Sequence, residues 1–70
     1  MIEFVLNGQK QQRDAPLSVA ALLVELNLSG KRLAVEMDGH IVPKTQHADC
    51  LVDAGCRLEI VVAVGGGVGV

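Results

Sequence analysis

Only one stretch of this 70-residue sequence places aliphatic side chains at helical spacing. Val19, Leu22, Leu23 and Leu26 recur at i, i+3, i+4 and i+7, and Ser18 precedes them as an N-cap. Elsewhere the apolar residues alternate. Ile2, Phe4 and Leu6 share one face of a strand, as do Leu33, Val35 and Met37, and later Leu58, Ile60, Val62 and Val64. One short helix cannot bury its stripe against itself. It has to lie across the apolar face of a sheet built from the remaining segments, which is an α+β architecture.

The turn residues divide the sheet into strands. Asn7-Gly8 and Asp38-Gly39 are two-residue hairpin signals, because both positions of such turns need positive φ. Between the first turn and Asp14-Ala15-Pro16 runs Gln9 to Arg13, polar throughout and suited to an exposed edge. Asn27 to Gly30 stops the helix, with Gly30 suited to its left-handed terminus. Ile41-Val42 is a short strand ended by Pro43, and Thr45 is placed to cap a short helical turn carrying Ala48 and Cys50. After the turn at Asp53-Ala54-Gly55, the last strand is expected over Arg57 to Val64.

The first and last strands are the most apolar, so they belong side by side and parallel in the middle. That is the β-grasp arrangement of ubiquitin: a mixed sheet of four to five strands with one main helix across one face. A ferredoxin-like fold needs a second convincing helix. The expected organisation is a β-grasp domain over 1–64 and a flexible glycine-rich tail over 65–70.

Composition excludes several functions. A domain of this size buries only roughly 60% of its unfolded surface, which leaves little room for an enclosed active site. Net charge is −2 without a basic run, and Phe4 is the one aromatic, so nucleic-acid binding is not expected. No apolar run approaches the ~20 residues that span a bilayer. Met1 leads directly into strand-like sequence without a secretory pattern, so the expected location is cytoplasmic. Cys50 and Cys56 then read as reduced thiols, Cys50 packed and Cys56 at the start of a strand. With His40 and His47 they complete no metal pattern. His40 and Lys44 read as solvated residues beside a tight turn.

The tail is the segment that carries chemistry. Gly65-Gly66-Gly67-Val68-Gly69-Val70 contributes no core, and glycine loses the most entropy on ordering. A frayed terminus is one reading. The other is an end that threads into a narrow site on another protein, where only a backbone without side chains passes. Gly65 to Gly67 span at most roughly 10 Å when extended. On the sheet face opposite the helix, Val5, Val61 and Ala63 are the expected apolar contacts for such a partner, with Gly65 beside them.

Four stretches resemble the ThiS family, the sulfur carriers of the thiazole (thiamin) pathway. They are Leu6-Asn7-Gly8, Ser18 to Leu23, the run from Leu33 to Pro43 containing "AVEMDGHIVP", and the run from Leu58 to Gly67 ending "VAVGGG". The resemblance covers residues 1 to 67 and favours ThiS over its molybdopterin-pathway relative MoaD.

It implies a carrier and not an enzyme. The C-terminal glycine is adenylated by a ThiF-type enzyme using ATP and Mg²⁺, becomes a thiocarboxylate, and delivers sulfur to ThiG, the thiazole synthase. The carrier itself holds no cofactor or metal and is expected to be monomeric. Carried onto this chain, Gly66 and Gly67 match the terminal pair, with Gly67 the modified residue. The family pattern stops at that glycine, whereas Val68-Gly69-Val70 follow here. Three readings stay open: removal of the extension, an extension that slows or abolishes activation, or a β-grasp interaction module that carries no sulfur.

Overall fold

The computed structural model describes residues 1–63. Their order is β1 (Ile2–Leu6), β2 (Gln9–Arg13), β3 (Leu17–Ser18), α1 (Val19–Glu25), β4 (Leu33–Met37), β5 (His40–Val42), a 3-10 turn (Lys44–Gln46), β6 (Leu51–Val52) and β7 (Arg57–Val62). The main sheet runs β2-β1-β7-β4-β5. Strands β1 and β7 are parallel, and the other pairs are antiparallel. This is the β-grasp arrangement, with the apolar first and last strands adjacent and the polar β2 at an edge.

The two dipeptide turns close their hairpins with the backbone that their residues tolerate. Asn7 and Gly8 have φ of 49° and 82°, and Asp38 and Gly39 have 52° and 85°. The register that follows pairs Leu6 with Gln9 and Met37 with His40, so β5 begins one residue before Ile41.

Helix α1 is only two turns long and would be marginal alone. Its first three N–H groups are all satisfied. Ala21 N donates to Ser18 Oγ at 3.0 Å, Val19 N to the Cys50 carbonyl at 2.8 Å, and Ala20 N to the His47 carbonyl at 2.9 Å. The first is the cap legible in the sequence; the other two come from a segment some thirty positions away. That segment also supplies β6, which pairs with β3 in a small second sheet (Leu17 with Val52, Ser18 with Leu51) that the alternation does not reveal.

The helix ends earlier than expected. Asn27, not Gly30, takes the left-handed terminal position, at φ 62°. Leu28 N bonds to the Leu23 carbonyl and Asn27 N to the Val24 carbonyl, the paired bonds of a Schellman motif. Gly30 serves the following turn, at φ 83°. Thr45 is not a cap: the 3-10 turn starts at Pro43 and has no side-chain cap bond.

The core lies between sheet and helix. Phe4, Val19, Leu22, Val35, Val52 and Leu58 are fully buried. The Arg13 guanidinium stands 5.6 Å from the Phe4 ring centroid and pairs with Glu25, closing the β2 side of that core. Cys50 and Cys56 are unpaired, half-buried thiols. The Cys50 thiol lies 3.9 Å from Met37 Sδ, as a packed residue should. The last strand is shorter on its buried side than the alternation predicts. Leu58 and Ile60 are buried but Val62 is 38% exposed. Val64 and the tail over 65–70 lie outside the described residues.

Candidate functional site

The face of the sheet away from α1 is fixed by the strand registers. From β7 it presents Arg57, Glu59 and Val61; from β4, Ala34 and Glu36; from β5, Ile41; and from β1, Glu3 and Val5. Val61 lies directly opposite Ala34, and Glu36 opposite both Glu59 and Ile41. Val61 is 66% exposed and Ile41 64%, with Ala34 and Ala63 also exposed. These four form one apolar patch across β7, β4 and β5.

Val5 does not join it. The parallel pairing sets Val5 beside Arg57, and on its other side Val5 faces Lys10. Arg57 is four positions before Val61, roughly 13 Å along the strand at 3.3 Å per residue. The structure thus brings Val61 and Ala63 together and leaves Val5 at the opposite end of the face, between two cations. Ala34 and Ile41 take its place. Their signal was in the sequence: the phase of Leu33 to Met37 turns Ala34 outward, and the Asp38-Gly39 hairpin brings Ile41 across from Glu36.

The patch has an acidic neighbour. Glu36 and Glu59 form a directly opposed pair with Cα atoms about 5.5 Å apart. Opposed like charges cost up to about 1 kcal/mol. A surface that covers this face meets aliphatic groups beside two carboxylates, and a cation on that surface relieves their repulsion.

The root of the tail is held rigidly. Ala63 N donates to the Arg32 carbonyl at 2.8 Å, so β7 stays bonded to β4 up to the last described residue. On the other flank β1 ends at Leu6, and the Asn7 side chain continues the ladder. Its Oδ1 accepts from Ile60 N at 2.8 Å and its Nδ2 donates to the Ile60 carbonyl at 3.4 Å. One amide thus replaces a missing strand residue at the point where β7 heads for the tail. Gly65, Gly66 and Gly67 lie outside the described residues.

Among the described residues no three His, Cys, Asp or Glu side chains converge as a metal site. Nor is any helix among them long and apolar enough to cross a membrane.

Comparison with known proteins identifies the family. The ThiS family model matches residues 3–67. A thiazole synthase of Paramagnetospirillum magneticum is 41% identical over 66 residues, a match that covers 94% of this chain but 20% of that protein. The uncharacterized protein ycf40 of Pyropia yezoensis is 30% identical over 66 residues, covering 94% of the chain and 93% of that relative. The crystal structure of the thiamine biosynthesis protein ThiS from Geobacter metallireducens superposes with a TM-score of 0.80 at 25% identity, covering 94% of this chain and all of that one. A family match over almost the whole described domain, reached again through the fold, shows that the chain belongs to the ThiS family.

Proposed function

We propose that this protein is the sulfur carrier of thiazole (thiamin) biosynthesis and that Gly67 is its working end. The observation that carries the reading is the extent of the family match, which runs through the whole sheet and on to Gly67. A carboxylate is a poor acyl donor, so the chemistry belongs to a partner. A ThiF-type enzyme with ATP and Mg²⁺ lets a Gly67 carboxylate oxygen attack the α-phosphorus, expelling pyrophosphate. A sulfide-level nucleophile then attacks the acyl carbon of the adenylate and expels AMP, leaving a thiocarboxylate. The carrier contributes a slender end and a surface; it is not itself a catalyst.

The apolar patch of Ala34, Ile41, Val61 and Ala63 is the docking surface in this reading, with Gly65 and Gly66 leading from it into the partner's site. Glu36 and Glu59 favour a partner that presents a cation beside apolar groups. The similarity to a thiazole synthase supports ThiG as the acceptor of the sulfur. The cytoplasm, where ATP and reduced thiols are available, is the compartment in which the cycle works.

The chemistry requires a free carboxylate on Gly67, so Val68-Gly69-Val70 have to be removed first. A branched side chain at the reacting residue does not fit a channel shaped for glycine. The test compares chains ending at Gly67 and at Val70 with a ThiF-type enzyme, ATP and a sulfur donor. Intact mass spectrometry is expected to show replacement of oxygen by sulfur only in the shorter chain. Equal conversion of both removes the need for processing, and conversion of neither removes the carrier assignment.

A further inference from the structure

A cleft of about 430 Å³ opens between the outer flank of α1 and the place where β5 turns away from β4. Leu23, Val24 and Leu28 form one wall and Pro43 part of the other. The charged residues that line it are Lys31 and Lys44, and no carboxylate does, in a chain whose net charge is −2.

The backbone of β4 is unfinished at this cleft. Ala63 N bonds to the Arg32 carbonyl and Asp38 N to the Arg57 carbonyl, so the even-numbered residues of β4 turn their polar groups toward β7. In an antiparallel ladder the odd-numbered ones then face β5. Met37 and Val35 find His40 and Val42 there. Leu33 would find residue 44, but Pro43 has already diverted the chain into the 3-10 turn. His47 Nε2 bonds to the Val42 carbonyl at 3.1 Å and holds that diversion in place. The N–H and C=O of Leu33 therefore face the cleft, and neither has a hydrogen-bond partner among the described residues.

We propose that this cleft binds an extended peptide segment of another protein, aliphatic at its centre and flanked by Asp or Glu. The segment pairs with Leu33 as a short added strand, sets an aliphatic side chain against Leu23 and Leu28, and places its carboxylates near Lys31 and Lys44. A donor and an acceptor on one residue match another backbone. A fatty acid offers no donor for the Leu33 carbonyl. The edge strands of a second copy of this chain do not match either, since β2 carries Lys10 and Arg13, β5 is His40-Ile41-Val42, and neither has an acid. The cleft borders the patch that docks the carrier's partners and shares Ala34 and Ile41 with it, whereas Val61 and Ala63 lie outside it, so the two occupants meet at that edge.

The test titrates the full ¹⁵N-labelled chain with the capped synthetic peptide Asp-Ile-Val-Ile-Asp-Glu, following amide shifts. Saturable shifts at Val24, Leu33 and Lys44, with a dissociation constant below about 1 mM, are expected. The double variant Lys31→Glu/Lys44→Glu, altered only at exposed positions, should weaken binding about tenfold or more, and so should N-methylation of the peptide's central valine. Val61→Ser should leave it unchanged, which separates this result from any outcome for the carrier reading. Absence of saturable shifts, shifts centred on Val61, indifference to both lysines, or saturation of the cleft by decanoate but not by the peptide would each overturn the proposal.

Discussion

Val61→Ser is expected to slow adenylation of the carrier by a ThiF-type enzyme, whereas Val5→Ser is not. Complete burial of a valine side chain contributes roughly 1.5–3 kcal/mol. Val61 is 66% exposed in the free protein, so most of that gain is realised only when a partner covers the patch. Two thirds of the range is about 1–2 kcal/mol, or roughly 5- to 30-fold in kcat/KM at 1.36 kcal/mol per tenfold. Serine removes nearly all of it while keeping the backbone hydrogen bonds of β7. Val5 lies on the same face but about 13 Å away by the strand register, beside Lys10 and Arg57. Val5 is half-buried and Val61 exposed, so Val5→Ser costs the fold at least as much as Val61→Ser, and a loss of adenylation confined to Val61→Ser is not a stability effect. The assay is ATP-dependent pyrophosphate release with the chain ending at Gly67, run below saturation and well under the melting temperature. Equal losses for the two variants, or a change under about twofold for Val61→Ser, would refute the placement of the docking surface.

Three further substitutions, at two positions, probe how the fold presents that surface. Asn7→Ala loses both the left-handed tolerance of the turn and the two bonds to Ile60, and should destabilise the domain by about 2–3 kcal/mol. Asn7→Gly keeps the turn and loses only the bonds, about 1 kcal/mol, so urea titration of this variant against the native chain isolates the side-chain bridge; identical midpoints for those two would show that the bridge contributes nothing. Ser18→Ala removes the cap on Ala21 N but leaves the bonds from Val19 and Ala20 to residues 47–50, so the loss should stay near 1 kcal/mol. In a domain of this size that is a fall in Tm of about 4–8 °C by calorimetry, and a fall beyond about 15 °C would mean that the cap also holds the 47–50 segment.

Local chemistry was legible without coordinates. Asn7-Gly8 and Asp38-Gly39 specify their turns because few other residues accept positive φ twice in succession. Ser18 marks the helix start because its hydroxyl reaches a donor three residues on. The period-two phase of β1, β4 and β7 decides which side chains face inward, since a slip by one residue would turn the whole apolar set to water. The polar run from Gln9 to Arg13 marks an edge for the same reason. Together with the strings around Glu36 and Gly67, these were enough to place the chain in its fold and to point to its family.

Tertiary structure decided what phase and turn chemistry leave free. Strands β1 and β7 have no turn between them, and sliding one past the other by two residues buries the same face. Their register comes from packing under α1 and from the Asn7 bridge to Ile60, and it is this register that parts Val5 from Val61. The small sheet of Leu17-Ser18 with Leu51-Val52 buries little and pairs segments more than thirty positions apart, so neither segment announces it. Asn27 takes the helix terminus from Gly30, which lets Leu26 and Leu28 on either side of it pack against the core. The bare backbone of Leu33 follows from the 3-10 turn after Pro43, which takes residue 44 away from β4 and which the His47 bond to the Val42 carbonyl braces. Each of these outcomes depends on contacts between distant segments, whose energy a one-dimensional pattern does not contain.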